Sequence, residues 1–138
     1  YNLFDREPDT SGILTLNAEA GAGFVAFSPL AQGLLTNRYL NGIPEDSRVR
    51  TDGRFLKESA LTEEKLAQIR ALNEIAASRG QTLAEMALAW VLKDGEVTSV
   101  LIGASRPEQI LDNIKALENT TFTKEELEAI DKASGFAK

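Results

Sequence analysis

The sequence predicts an α/β fold in which helices cover a parallel sheet. Three observations predict it. Two short runs, "FVAFS" at Phe24 to Ser28 and "TSVLIG" at Thr98 to Gly103, are almost continuously apolar and bounded by glycine or proline, as strands buried on both faces are. Stretches of helical periodicity lie between and after them. Strands alternating with helices are the pattern of crossover-connected parallel sheets. Two or three strands cannot close such a sheet, and a (β/α)8 barrel takes roughly 250 residues, so the 138 residues read as its last few units.

From Ser11, "SGILTLNAEAGAG" places Ile13, Leu14 and Asn17-Ala18 at helical offsets and ends in glycines, which close helices. A short helix is predicted, then the strand at Phe24 to Ser28. The stretch from Ala31 to Ala60 lacks clean periodicity and carries Gly33, Gly42, Pro44 and Gly53. It reads as a long excursion, a class of loop that commonly serves function.

Thr62 with Glu63 and Glu64 marks a helix start, and Leu66, Ile69, Leu72, Ile75 and Ala76 form one apolar face up to Gly80. Thr82-Leu83-Ala84-Glu85 is a capping box. It opens a helix with a face of Leu83, Met86, Ala87, Trp90 and Val91, where Trp90 is read as core. After the second strand, Ser105-Arg106-Pro107-Glu108 reads as another capping box with proline in the first turn. That helix is expected to bury Ile110, Leu111, Ile114 and Leu117. A third box, Thr123 to Glu126, opens a terminal helix carrying Leu127 and Ile130.

Hydrophobic residues make up 43% of the chain and charged residues 26%, the proportions of a globular protein with a packed core. A net charge of −6 disfavours nucleic acid and anionic membranes as partners. There is no Cys and no His, which removes the usual zinc sets, thiol chemistry and any His-assisted nucleophile. No metal site is predicted. Absence of Cys fits a reducing cytoplasm, no apolar run is long enough for a membrane span, and a soluble cytoplasmic protein is expected. The opening at Tyr1-Asn2-Leu3, without an initiating Met, suggests that residues precede it.

Two segments could carry chemistry. In "LIGASRPEQILDN", Leu101 to Asn113, a strand end feeds a small Gly-Ala-Ser turn and a capped helix. Free N–H groups and the positive helix end then face one spot, which suits an anion. Arg106 adds a fork-shaped charge and Ser105 a hydroxyl. The competing reading is an ordinary cap with Arg106 solvated. In "AFSPLAQGLL", Ala26 to Leu35, a strand ends in Ser-Pro and a Gly33-containing loop, which would line a barrel's active-site face. Phe27 is either a stacking surface or core.

Together with "YNLFDRE" at Tyr1, the segments "FSPLAQGLLTNRYLNGIPEDSR" at Phe27 to Arg48 and "VTSVLIGASRPEQILDN" at Val97 to Asn113 resemble the aldo-keto reductase superfamily. They are most similar to its branch of potassium channel β-subunits and bacterial L-glyceraldehyde 3-phosphate reductase-like enzymes. The resemblance runs along nearly the whole chain. It implies the C-terminal part of one barrel domain, about strands 7 and 8 with their helices and a C-terminal helix.

It also implies an NADPH cradle. The loop after the first strand would hold the pyrophosphate through Ser28, Pro29, Leu30, Ala31, Gln32 and Gly33, with Phe27 stacking on the nicotinamide and Arg38 and Arg48 as basic partners. The second motif would hold the 2′-phosphate and adenine through Gly103, Ser105, Arg106, Gln109, Asp112 and Asn113. Many branches carry Arg in place of Gln109 and Glu in place of Asp112, so the preference for NADPH over NADH rests more heavily on Arg106. The family's catalytic Asp, Tyr, Lys and His belong to the first half of the barrel, so no catalytic residue is assigned here.

The implied activity is hydride transfer from NADPH to an aldehyde or ketone, with Tyr39 and the loop from Asn41 to Arg54 near the entrance. An NADPH-binding regulatory or sensor subunit is the alternative. By itself the chain is expected to be inactive, to lack the N-terminal half of its barrel and to self-associate, as a homo-oligomer or aggregate, through open strand edges.

Overall fold

Two three-residue strands, β1 (Val25–Phe27) and β2 (Ser99–Leu101), pair in parallel, with Val25 opposite Ser99, Ala26 opposite Val100 and Phe27 opposite Leu101. The computed structural model describes residues 1–51, 53, 54 and 56–137, apart from the side chain of Arg48. Just before the strands, Thr98 Oγ1 accepts from Phe24 N at 3.1 Å, and a Cβ at Gly23 would lie 3.0 Å from that oxygen. Glycine there permits the close approach.

The α-helices are α1 (Glu7–Ser11), α2 (Ile13–Glu19), α3 (Arg48–Thr51), α4 (Glu63–Ser78), α5 (Leu83–Leu92), α6 (Pro107–Ile114) and α7 (Lys124–Ser134). Their starts follow the capping logic of the sequence. Thr62 accepts from Lys65 N at the head of α4, and complete capping boxes open α5 (Thr82 with Glu85) and α7 (Thr123 with Glu126). Helices α1 and α3 are too short for a periodic signal. Gly12, at φ 78°, separates α1 from α2.

The core forms around α5. Its sequence, LAEMALAWVL, is apolar at all but one position, and every residue from Glu85 to Val91 is buried. The single apolar face read from the sequence is therefore a helix covered on all sides. Helix α4 contributes Ile69, Leu72 and Ala76, α7 contributes Ile130, and Leu3, Leu35 and Tyr39 complete the cluster. Burying each Leu, Ile or Met side chain contributes about 1.5–3 kcal/mol, so the cluster together outweighs three strand pairs at about 0.2–1 kcal/mol each.

Two arginines tie the elements together. Arg6 donates to Asp131 Oδ1 at 2.6 Å and to Ser134 Oγ at 2.8 Å, both on α7. Its guanidinium lies between the rings of Trp90 and Phe136. Arg79 pairs with Glu126 at 2.5 Å, donates to Thr121 O and Gln81 Oε1, and stacks on Phe122. Both guanidinium groups are largely withdrawn from water while their carboxylate partners stay partly exposed, so removing a carboxylate would leave a buried charge unpaired.

Two burial expectations are corrected. The strands alternate rather than being buried on both faces: Ala26 is 2% exposed, whereas Val25, Phe27 and Leu101 are 61%, 68% and 64% exposed. Helix α6 does not bury its apolar face either; Ile110, Leu111 and Ile114, with Leu117 in the 3-10 turn that follows, are all exposed. The cause is common to both. Helix α5 covers one face of the sheet, and among the described residues no layer covers the other face or the outer side of α6.

Tyr1 packs its ring on Trp90 and donates its hydroxyl to Asp9 at 2.6 Å. Burial first, and then the bond to Asp9, push the phenol well above the usual tyrosine range. Below about pH 10 the phenol is neutral in both folded and unfolded chains, and above it only the unfolded chain ionises. Stability is therefore expected to fall as pH rises past that point, and to fall less steeply in Tyr1→Phe. Urea unfolding of both proteins across the alkaline range checks this.

Candidate functional site

Parallel pairing in this register sets the C-terminal ends of β1 and β2 side by side, so residues 28–35 and 102–109 leave the sheet from the same edge. The first loop is strained. Ser28, Ala31 and Gln32 have φ of 53°, 49° and 60°, followed by Gly33 at 94°. Left-handed geometry costs a non-glycine residue about 1–2 kcal/mol, and it persists only where the surroundings over-determine it.

The surroundings do so here. Gln32 Nε2 donates to Ser28 Oγ at 3.0 Å, Ala31 N to Ser28 O at 3.0 Å, and Gly33 N to Leu30 O at 2.9 Å. Pro29, Leu34 and Leu35 are buried beneath the loop. From the opening segment, Asn2 Nδ2 donates to Ser28 O at 3.1 Å and Tyr1 N to Phe27 O at 3.2 Å. Asn2 Oδ1 in turn accepts from Phe4 N and Asp5 N. Sequence reasoning gave Asn2 no role. Its only signal was its place in the opening motif.

Farther along, Thr36 Oγ1 donates to Gly33 O at 2.7 Å and accepts from Arg38 N. Arg38 Nη2 reaches both Asp46 O and Asp46 Oδ1 at 2.9 Å. Arg38 thus clasps the segment up to Ser47. The side chain of Arg48 and the whole of Asp52, in the loop expected at the entrance, lie outside the described residues. Tyr39 is 2% exposed and belongs to the core rather than to an entrance, with Gly33 against its ring.

In the second loop the helix start differs from the sequence reading. The residue before the first turn of α6 is Arg106, not Ser105, and the reciprocal partner is Gln109, not Glu108. Proline fixes the register: Pro107, lacking an N–H and pre-set in φ, takes the first helical position, which makes its predecessor the cap. Arginine has no acceptor, so only the return half of the box forms. Gln109 Oε1 accepts from Ser105 N at 2.8 Å, Ser105 Oγ at 3.2 Å and Arg106 N at 3.3 Å. The N–H groups expected to be free are therefore held by a side-chain carbonyl.

Arg106 is exposed and makes no ion pair among the described residues. Gly103 and Ser105 are exposed beside it, and Asn113 is half-buried. Asp112 pairs with Lys115 at 2.9 Å, and the hydrogen bond, then the charge, raises the Lys115 ammonium above its usual range. Phe27 presents an exposed ring on the uncovered face of β1. A cleft of ≈ 480 Å³ follows the unpaired edge of that strand, between Tyr1, Ile13, Leu16 and Val25.

The structure sets the end of β1 and the loop to Gly33, and the turn from Gly103 leading into α6, at the same end of the sheet. No group of three acidic, His or Cys side chains able to hold a metal ion occurs among the described residues, and no described helix is long and apolar enough to cross a membrane.

Residues 1–134 match the pattern of the family described as "Aldo/keto reductase family". The chain is 56% identical over 135 residues to an L-glyceraldehyde 3-phosphate reductase of Escherichia coli O157:H7, covering 96% of this chain and 39% of that protein. It is 39% identical to a putative voltage-gated potassium channel subunit beta of Schizosaccharomyces pombe, covering 99% of this chain and 41% of that protein. Among solved structures it superposes on a glycerol dehydrogenase from Gluconobacter oxydans with TM-score 0.74 at 30% identity, over 96% of this chain and 40% of that one. A thermostable aldo-keto reductase in complex with the inhibitor epalrestat gives TM-score 0.62 at 28% identity, over 96% of this chain and 37% of that one. The chain thus spans about two-fifths of the length of the proteins it matches.

The left-handed run generates a prediction. Ala31→Gly is expected to leave stability unchanged or raise it by up to about 1 kcal/mol, whereas Gly33→Ala costs about 1 kcal/mol or more. The signs are opposite to those of the same exchanges within a helix. Chemical denaturation of the two variants reads them directly.

Proposed function

From the premise that the chain belongs to the aldo/keto reductase family of oxidoreductases, we propose that it supplies the NADPH-holding part of a carbonyl reductase. The observation that carries this reading is the departure of two loops from the same end of the sheet, one strained and over-determined, the other carrying an exposed arginine with no ion pair among the described residues. The donor set fits a phosphorylated dinucleotide. Arg106 suits a 2′-phosphate, with the Ser105 hydroxyl beside it donating to Gln109; the loop from Ser28 to Gly33 suits a pyrophosphate, and the exposed Phe27 ring offers a flat face to a nicotinamide. When bound, NADPH supplies the hydride, and the protein supplies grip and orientation.

The chain contains β1 and β2, which we read as strands 7 and 8 of a single (β/α)8 domain. The uncovered face of the sheet and the apolar side of α6 then meet the rest of the barrel. The residue that protonates the carbonyl oxygen belongs to that other part, so the 138 residues alone are catalytically silent, because a positioned general acid is worth about 10²–10⁴-fold in rate. The substrate class is a small aldehyde or ketone. The similarity to a reductase at 56% identity, against 39% for a channel subunit, favours the enzyme over the regulatory subunit.

Arg106→Ala in the protein carrying this chain is expected to weaken NADPH binding by about 10- to 100-fold, the loss of one charge-assisted contact of roughly 1.5–3 kcal/mol. NADH binding should change little. Equal losses for both cofactors, measured by fluorescence titration, would remove Arg106 from the 2′-phosphate.

A further inference from the structure

The side chain of Gln109 sits at the centre of the second loop, and its orientation is fixed by its partners. Two of the three groups that meet its terminal amide are backbone N–H donors, Ser105 N at 2.8 Å and Arg106 N at 3.3 Å. Donors can meet only the oxygen, so the assignment of Oε1 and Nε2 is not interchangeable. The Ser105 hydroxyl, 3.2 Å away, completes the set around Oε1. Gln109 N donates to Arg106 O at 3.2 Å, so the residue holds the turn through its backbone and its side chain at once.

Arg106 itself is in extended geometry, φ −141° and ψ 145°, with no side-chain cap of its own, followed by a proline whose N cannot donate. Apart from the bonds to Gln109, residues 105 and 106 make no hydrogen bond or ion pair to the sheet or to α5 among the described residues. The direction in which the Arg106 guanidinium leaves the turn therefore depends on the oxygen of Gln109.

We infer that Gln109 is a positioning residue of the cofactor site: its side-chain oxygen latches the Ser105–Arg106 turn and thereby aims Arg106, whatever contact its amide nitrogen makes. The inference rests on the cofactor reading above. It also accounts for Gln at this position, since arginine there could offer another charge but no acceptor, and would leave the two N–H groups unheld.

Two near-isosteric variants separate latch from contact. Gln109→Met removes the acceptor and keeps the length; Gln109→Glu keeps acceptor oxygens for the two N–H groups but loses the amide donor and adds a negative charge, so it is read by exchange and not by NADPH affinity. Hydrogen exchange of the peptide spanning residues 103–109 is measured without nucleotide, together with NADPH and NADH affinities, in the protein carrying this chain. The latch predicts exchange about tenfold faster at Ser105 and Arg106 in Gln109→Met, near-wild-type exchange in Gln109→Glu, and NADPH affinity reduced about tenfold in Gln109→Met. Unchanged exchange in Gln109→Met overturns the latch. So does faster exchange with unaltered NADPH affinity, because the turn would then not serve the cofactor. If wild type binds no NADPH while exchange still responds to the variants, the cofactor reading fails and takes this inference with it. That outcome is distinct from failure of the latch alone.

Discussion

The parallel register of β1 on β2 is the constraint on which the site depends. Three residue pairs, Val25–Ser99, Ala26–Val100 and Phe27–Leu101, bring together loops whose strands lie more than seventy residues apart in the chain. A parallel pair demands a long crossover, and the excursion, α4 and α5 fill it. A slip of one residue would turn Ala26 outward and push Val25 or Phe27 into α5. The small side chain of Ala26, 2% exposed, belongs to the core cluster behind the sheet.

So short a pairing has little strength of its own, and the packing behind it supplies the rest. Helix α5 is buried on every side, with α4 beyond it and the Arg6 and Arg79 clusters binding α7 to the same core. That rigidity permits the strain in front. Ser28, Ala31 and Gln32 hold left-handed backbone because Asn2, the Gln32–Ser28 bond and the buried Pro29, Leu34 and Leu35 leave no relaxed alternative. A loop fixed in this way presents its polar groups without reorganising when a ligand arrives.

What the sequence disclosed follows the range of the interactions involved. Capping boxes at Thr82 and Thr123, and the glycine ends of α2 and α4, are local in sequence and were legible. The motif pattern places the box at Ser105, one residue early, because it weighs Ser and Glu while the fold obeys Pro107. The exposure of Val25, Phe27, Leu101 and the α6 face was not legible, since an apolar run states a need for cover but not whether the cover lies within the chain. Nor was the burial of Tyr39, or the support that Asn2 gives Ser28 across 26 residues. Such contacts exist only after the strands have paired. The three positive φ angles fall in the segment singled out by resemblance, at residue types that do not announce them.

The central claim is that the loops after β1 and β2 form one binding surface for one dinucleotide. Amide NMR of the protein carrying this chain, during a titration with NADPH, tests it most directly. Shifts in residues 27–33 and in residues 103–113 should follow a single saturation curve with one stoichiometric equivalent. Shifts confined to one segment, or two segments saturating at different concentrations, would contradict it.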